Sequence, residues 1–377
     1  MRDAVIVEAV RTPVGKRNGA LADTHPADLS GHVLKALADR TGIDPAIVDD
    51  VVWGCVGQVG DQANNIGRSG VLAAGWPTSV PATTVDRQCG SGQQALHFAA
   101  AGVIAGQYDV AVAGGVESMS RVPMGSSRQS GQPFGQTVLD RFGVETFNQG
   151  IGAEMIAEKW ALSRRQLDEF AVTSHEKAAA AIDSGALTAQ IAPLPGVLDM
   201  DEGIRRGTTA DKLAGLKTSF KEDGVIHAGN ASQISDGSGA LLVTTSEKAR
   251  QLGLTPIARI HTAVMAGDDP VIMLTGPIPA TAKALERSGL SIGDIGAFEV
   301  NEAFASVPLA WLAETGADPA LVNPLGGAIA VGHPLGGSGA VLMTRLVHHM
   351  RDNGIRYGLQ TMCEGGGMAN ATILELL

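Results

Sequence analysis

Among the groups able to act as nucleophile or base near neutral pH, this 377-residue chain has three cysteines and nine histidines. Cys89 opens the run Cys89-Gly90-Ser91-Gly92-Gln93, just before an apolar helix pattern. A thiol at a helix N-terminus feels the positive end of the macrodipole and unpaired N–H groups. Its pKa is expected to fall, enriching the thiolate. The flanking glycines let backbone approach a substrate closely, and their N–H groups can stabilise an oxyanion. A buried structural cysteine at a tight turn is the competing reading. His333 stands between Gly332 and Pro334, with Gly326-Gly327 before it and Gly336-Gly337 after it. A histidine so framed is rigidly presented with open space beside it, suited to taking a thiol proton. Capping a helix is the plainer alternative. Cys363 precedes Gly365-Gly366-Gly367 at the end of a strand pattern. Glycines there cost chain entropy and add no packing, so close approach to a ligand is the better reason for them. The Cys363 thiol can then be a second acid/base group and the Gly365 N–H an oxyanion donor. Asn301, in Asn301-Glu302-Ala303-Phe304, can hold a water or a carbonyl, or simply cap the next helix.

The Cys89 segment has a rival reading. Gly90-Ser91-Gly92-Gln93-Gln94-Ala95 satisfies G-x-G-x-x-A, and Glu117 follows at a distance that imitates a dinucleotide fingerprint. Two features weaken an NAD-dependent dehydrogenase. Asp86 and Arg87 stand where an apolar strand should end, and the motif does not follow the first strand pattern.

These groups need a scaffold, and the composition bounds it. The length exceeds the ~250–300 residues at which a single core stops growing. A hydrophobic fraction of 44% supplies buried cores, while a net charge of −11 and 4% aromatics argue against nucleic acid. No apolar run reaches ~18 residues, so no membrane span is expected. Residue 4 already opens a strand-like run, without the basic and apolar segments of a signal peptide. The cysteines are far apart, with no C-x-x-C pair. That fits neither a zinc site nor a disulfide framework, and it suits a reducing cytoplasm.

Short β-type runs alternate with helical patterns, which predicts an α/β fold with buried parallel strands. Strands are expected at Val5–Ala9, Val51–Cys55, Val110–Ala113, Ala258–His261, Phe298–Val300 and Gly358–Met362. Helices are expected at Ala27–Arg40, Gln93–Ala105, Ile278–Ser288 and Ser338–Asp352. The stretch 118–234 reads as a loop-rich insertion, with helices near Gly152–Trp160 and Arg164–Ser184. One offset of 247 residues links the two ends of the chain. Thr41-Gly42-Ile43 resembles Ser288-Gly289-Leu290, Gly54 falls on Asn301, Gly90-Ser91-Gly92 on Gly337-Ser338-Gly339, and the 110–113 strand on 357–360. Two copies of one α/β half follow. Packed about a pseudo-twofold axis, they can bring Cys89 and His333 into one cleft.

Cys89-Gly-Ser-Gly, Asn301-Glu-Ala-Phe, Gly332-His333-Pro and Cys363-x-Gly-Gly-Gly, in this order, together resemble the thiolase family. The opening Glu8–Lys16 and the stretch Ala228-Gly229-Asn-Ala-Ser232 are similar to it as well. The resemblance spans essentially the whole chain. It implies two duplicated βαβαβ-type halves in a five-layered αβαβα sandwich with an inserted loop domain. The expected division is 1–117 with 235–254 for the first half, 118–234 for the insertion and 255–377 for the second half. It also implies tight dimers, often paired into tetramers, an acyl-CoA substrate, and no permanently bound cofactor or metal.

By the same resemblance, Cys89 is the nucleophile that becomes a thioester. His333 activates it, Cys363 moves the proton of the acetyl carbon, Asn301 fixes an oxyanion-hole water, and the Cys89 and Gly365 N–H groups form the second hole. Ser232, with Ala228 and Gly229, matches the pantetheine contact of coenzyme A. Arg205, Arg206 and Lys212 lie where the family meets the nucleotide end. Gln149, Met273 and Phe304 are expected at the acyl pocket. Two positions depart from the usual pattern. Asp86 replaces an Asn and would oppose a thiolate unless paired, with Arg87 the candidate partner. Asn148-Gln149-Gly150 replaces the His-Met-Gly of short-chain acetoacetyl-CoA enzymes. The chain thus looks more like degradative members that accept larger or cyclic acyl groups, including those of actinobacterial steroid catabolism. Two alternatives stay open: an acetoacetyl-CoA thiolase with an altered pocket, and a non-catalytic acyl-CoA-binding protein.

Overall fold

The computed structural model describes residues 2–129 and 131–377. Ten strands form a mixed sheet: β1 (Val5–Arg11), β2 (Gly15–Lys16), β3 (Asp50–Gly54), β4 (Ala82–Val85), β5 (Val110–Ser118), β6 (Ser235–Thr244), β7 (Ala258–Gly267), β8 (Ala297–Val300), β9 (Tyr357–Glu364) and β10 (Met368–Leu376). Their order is β4-β3-β5-β6-β1-β7-β10-β9-β8, with β2 against β6. β1 and β7 share only two residue pairs, so the sheet divides there into two halves.

The halves have matching connectivity. β3 runs parallel to β5, which pairs antiparallel with β6, which pairs antiparallel with β1. In the second half β8 runs parallel to β9, which pairs antiparallel with β10, which pairs antiparallel with β7. The expectation of parallel strands is therefore corrected: only the pairs β3–β4, β3–β5 and β8–β9 are parallel. β6 and β10 return antiparallel along the inner side of each half. Sequence patterning missed them because β6 begins Ser-Asp-Gly-Ser-Gly, which reads as a loop, and β10 carries Asn370 and Thr372 on buried positions.

Alternation along the strands explains the layering. Val5, Val7 and Val10 of β1 and Val110 and Val112 of β5 face outward, onto the helices Pro26–Thr41 and Ile66–Ala73. Ile6, Ala9, Ala111 and Ala113 face inward, onto the helices Ser91–Ala105 and Leu335–Asn353. On the other side, Phe298, Leu359 and Ile373 pack with the helices Pro277–Ser288 and Ser306–Thr315. The layers are helix, sheet, helix, sheet, helix. The two central helices occupy equivalent places in the repeat, the second beginning three residues earlier, and touch at equivalent glycines. A Cβ on Gly92 would come within 2.8 Å of the Ala340 N, and one on Gly339 within 2.2 Å of the Gln93 N. Only glycine permits that approach. The stretch between β5 and β6 carries the helices Gln149–Lys159 and Arg164–Asp183 and a short one at Ala210–Ala214.

Candidate active site

Cys89 sits in the turn between β4 and the helix Ser91–Ala105. Gln88 sits at φ +48°, in the left-handed region that a residue with a Cβ enters only when its surroundings enforce it. Asp86 enforces it by accepting the Gln88 N–H at 2.7 Å, and Ser91 Oγ donates to the Gln88 carbonyl at 2.6 Å. Asp86 is thus a turn residue, and among the described residues it forms no ion pair with Arg87. The Arg87 guanidinium instead reaches the Met368 sulfur, at 4.0 Å. Cys89 follows, 5% exposed. Its N–H is committed to no carbonyl or carboxylate among the described residues.

The electrostatics of Cys89 run opposite to the sequence expectation. Burial pushes its pKa well above that of a free thiol, and the nearby Cys363 and Glu364 push it further when they are ionised. Desolvation outweighs the helix terminus. The thiol is therefore protonated at rest, and a base must take its proton. His333 fits that task. Burial lowers its pKa to about 4, so it is neutral at working pH. Ser338 Oγ donates its single proton to the Pro334 carbonyl at 2.9 Å, so it accepts from His333 Nδ1 at 2.6 Å. That assigns the Nδ1–H tautomer and leaves the Nε2 lone pair free. Asn301 Nδ2 lies 3.5 Å from this Nε2 and 3.8 Å from Cys363 Sγ. The Asn301 Oδ1 is buried without a partner. Burial pushes Cys363 up to about 12. It is a protonated thiol, able to give a proton to a carbanion.

The segment carrying His333 is held from several sides. Gly332, at φ +113°, would place a Cβ 2.2 Å from Ser235 Oγ. Ser235 Oγ and the Gln233 carbonyl both accept the His333 N–H. Glu302, singled out in the sequence only as a neighbour of Asn301, is fully buried and accepts from Ser174 Oγ, Asn323 Nδ2 and the Ile329 N–H. It ties the end of β8 to the His333 segment and to the inserted helix Arg164–Asp183. Burial pushes its carboxyl above the usual carboxylate range, against the pull of these donors and of the half-buried Lys177. The sequence signal was the acidic residue itself, since a carboxylate after a buried strand must find donors.

Cys89 and Gly365 line the floor of a cavity of about 660 Å³. Gln149, Met273 and Phe304 also line it. Met273 is buried at φ +63°, and Phe304 stacks edge-on against Phe220 at 5.8 Å. Asn148 accepts the N–H groups of Gly150 and Ile151 and so starts the helix that carries Gln149 beside Gly365. Met119, Val122, Phe134 and Phe147 give the cavity apolar surface, and Asp86, Arg128 and Asn148 give it polar groups. Ala228, Gly229 and Ser232 lie outside this lining. The Ser232 N–H donates to the Ala303 carbonyl, two residues from Asn301. Beneath them, His227 bonds Asp168 at 2.7 Å, and Asn230 donates to the same carboxylate. Arg205, Arg206 and Lys212 are exposed. Arg206 is paired with Asp183, and Lys212 donates to the Gly207 carbonyl.

A buried thiol, a neutral imidazole, an amide and a second thiol converging below a long acyl-sized cavity are the furniture of an acyl-transfer enzyme that makes or breaks a carbon–carbon bond. The chain belongs to the thiolase family. The family's "Thiolase, N-terminal domain" matches residues 4–247, and its "Thiolase, C-terminal domain" matches residues 254–376. The chain is 51% identical to the steroid 3-ketoacyl-CoA thiolase FadA6 of Mycobacterium tuberculosis, covering all of this chain and 95% of that protein. It is 43% identical to a 3-ketoacyl-CoA thiolase of Erwinia tasmaniensis over the full length of both. The crystal structure of the acetyl-CoA acetyltransferase of Bacillus anthracis superposes with a TM-score of 0.92 at 39% identity, covering all of this chain and 99% of that one. Among the described residues, no helix is long and apolar enough to cross a membrane.

Proposed function

We propose that this thiolase cleaves a β-ketoacyl-CoA with a bulky acyl group to acetyl-CoA and a shortened acyl-CoA, in fatty-acid or steroid degradation. The observation that carries the reading is the cavity of about 660 Å³ beside Cys89, with Met119, Val122, Phe134 and Phe147 among its lining. An acetyl pocket needs only a small fraction of that space. Gln149 at the floor, where short-chain enzymes of the family carry a His-Met pair, points the same way. So does the name of the mycobacterial relative.

The steps follow from the groups present. The thiol of Cys89 gives its proton to His333 Nε2 as sulfur attacks the keto carbon. The bond to the acetyl carbon breaks, and its electron pair is left on an acetyl-CoA enolate, which takes the Cys363 proton. The proton held by His333 then passes to the Cys363 thiolate, which restores both groups. Coenzyme A enters, gives its thiol proton to His333 and displaces the acyl group from Cys89, whose thiolate takes that proton back. The N–H groups of Cys89 and Gly365 hold the oxygen of the attacked carbonyl. Asn301, through an ordered water shared with His333, holds the enolate oxygen. Coenzyme A is a substrate here, and no permanent cofactor is needed. Ser232, Ala228 and Gly229 would meet its pantetheine arm, and Arg205, Arg206 and Lys212 its nucleotide end. The division at 1–117 with 235–254, 118–234 and 255–377, a homodimer or homotetramer, and a cytoplasmic location belong to the same reading.

Mass spectrometry after mixing with acyl-CoA tests the intermediate. An acyl adduct should appear on Cys89 and vanish in Cys89→Ala; an adduct elsewhere defeats the mechanism. Thiolysis rates across acyl sizes test the substrate. Acetoacetyl-CoA turned over as fast as every bulkier β-ketoacyl-CoA would make the enzyme an acetyl-CoA acetyltransferase instead.

A further inference from the structure

The duplication places Glu117 of β5 and Glu364 of β9 at equivalent positions, and the two carboxyls live differently. Glu117 is buried and fully bonded. It accepts the N–H groups of Val56, Gly57 and Gly336 and the side-chain amide of Gln62, all between 2.7 and 2.9 Å. Gly336 is the counterpart of Cys89. Glu364 is also fully buried, yet neither of its oxygens has a partner. Its carboxyl lies against Gly90, where a Cβ would come within 2.0 Å of Oε1, and Asn370 donates to the Gly90 carbonyl beside it. One half thus binds its loop N–H with a carboxylate, and the other leaves the Cys89 N–H unbonded next to a carboxyl.

We propose that Glu364 is a positioning residue that governs the reactivity of Cys89: as a neutral acid it leaves the Cys89 N–H free and the thiolate unopposed, and its ionisation turns the nucleophile down. An unbonded carboxylate is costly in a dry site, whereas the neutral acid is tolerated. Burial pushes Glu364 up to about 8 against the Arg87 charge, which favours ionisation, while Asp86 opposes it. Cys89 and Cys363 complete the titratable groups beside it. The sign is then fixed. Below about pH 8 the group is neutral and Cys89 feels no added charge; above it, the new negative charge raises the thiol pKa. The inference rests on Cys89 being the nucleophile.

The test is the rate of Cys89 alkylation by iodoacetamide against pH, with substrate absent, in the native enzyme, in Glu364→Gln and in Glu364→Met. Glu364→Met removes the charge with a side chain of similar length and does not need hydrogen-bond partners. The native profile should climb with pH and bend over near pH 8. Both variants should climb without the bend and exceed the native rate near pH 9 by about fivefold, approaching the roughly tenfold ratio for one unit of thiol pKa at higher pH. Glu299 also titrates near 8, but it faces Arg345, Glu302 and Lys177, so Glu299→Gln should keep the bend. A native profile without a bend, or variant profiles that superpose on the native one, overturns the proposal. Acyl mass on Cys89 is read separately, so loss of the thiolase reading and loss of this one are distinguishable.

Discussion

The segments 86–92 and 333–339 are counterparts in the repeat, one a turn and the other the start of a helix, and in the proposed mechanism they divide one reaction between them. Both lead into a central helix, and both are closed by a serine. Ser91 donates to the Gln88 carbonyl and accepts the Arg87 N–H. Ser338 donates to the Pro334 carbonyl and accepts from His333. Cys89 corresponds to Gly336, and His333 corresponds to Asp86. Each copy therefore keeps one reactive residue and fills the other's place with a residue that shapes the turn. Gly336 must stay small, because a Cβ there would lie 2.4 Å from the Cys55 Cα. Asp86 must stay an acceptor, because it holds Gln88 in its left-handed conformation. Duplication with divergence thus places nucleophile and base on opposite sides of a pseudo-twofold axis, where the two central helices touch.

The sharpest way to break the comparison is to remove the member that only one copy has. Cys89→Ala should lower thiolysis on the order of 10⁴-fold or more, since a covalent step has no substitute route. Steady-state rates and the loss of acyl mass check it. His333→Ala removes the other half of the division. A fall of about 10²–10⁴-fold is expected, the usual worth of a positioned base. The native pH profile carries a second prediction. His333 is held neutral down to about pH 4 by burial. Its proton-accepting form is therefore present above that value and lost below it. The acid limb of kcat/KM should lie near pH 4, well below the ~6.5 of a free imidazole, wherever the fold survives. Folding stability moves the same way. A buried neutral histidine binds a proton more weakly when folded, so stability falls as pH drops from about 6.5 toward 4. His97 and His348 are depressed by burial in the same sense. Melting temperature against pH reads this out.

How much of this was legible in the sequence follows the same division. The candidate residues Cys89, His333 and Cys363 were, because cysteine or histidine framed by glycines is an odd structural choice. The 247-residue repeat was, because ungapped copies keep their glycine spacing. β6 and β10 were not, since their Gly, Ser, Asn and Thr positions are buried only through contacts with strands far along the chain. The direction of the Cys89 shift was not either. A helix N-terminus is visible in a sequence, but the depth of burial that overrides it depends on Cys363 and Glu364, more than 270 residues away. Asn301 gives the next test. It replaces Gly54 of the first half and places an amide between His333 and Cys363. Asn301→Ala should cost about 2.7–4 kcal/mol of barrier, or 10²–10³-fold in kcat, as for other lost oxyanion donors. The same change should leave alkylation of Cys89 close to native, because Asn301 serves the enolate and not the thiol.

The smallest effect sharpens the comparison most. Ser91 and Ser338 are equivalent, and both are buried. Ser91→Ala removes a hydroxyl that only holds backbone. Ser338→Ala removes a hydroxyl that also fixes the tautomer of His333. Each deletion should cost folding stability about equally, roughly 1–3 kcal/mol for the unpaired groups left behind. Their kinetics should differ. Without Ser338 the His333 proton is free to sit on Nε2, where it blocks acceptance from Cys89, and kcat should fall roughly tenfold, the ratio for about 1.4 kcal/mol of tautomer preference. Without Ser91 the base is intact, and the loss should follow the fraction folded. Equal kcat loss at equal stability loss would mean that the two serines are only structural, and that the asymmetry of the copies stops at Cys89 and His333. An excess loss confined to Ser338→Ala, restored by Ser338→Thr, would extend the division to the residues that hold the reactive pair in place.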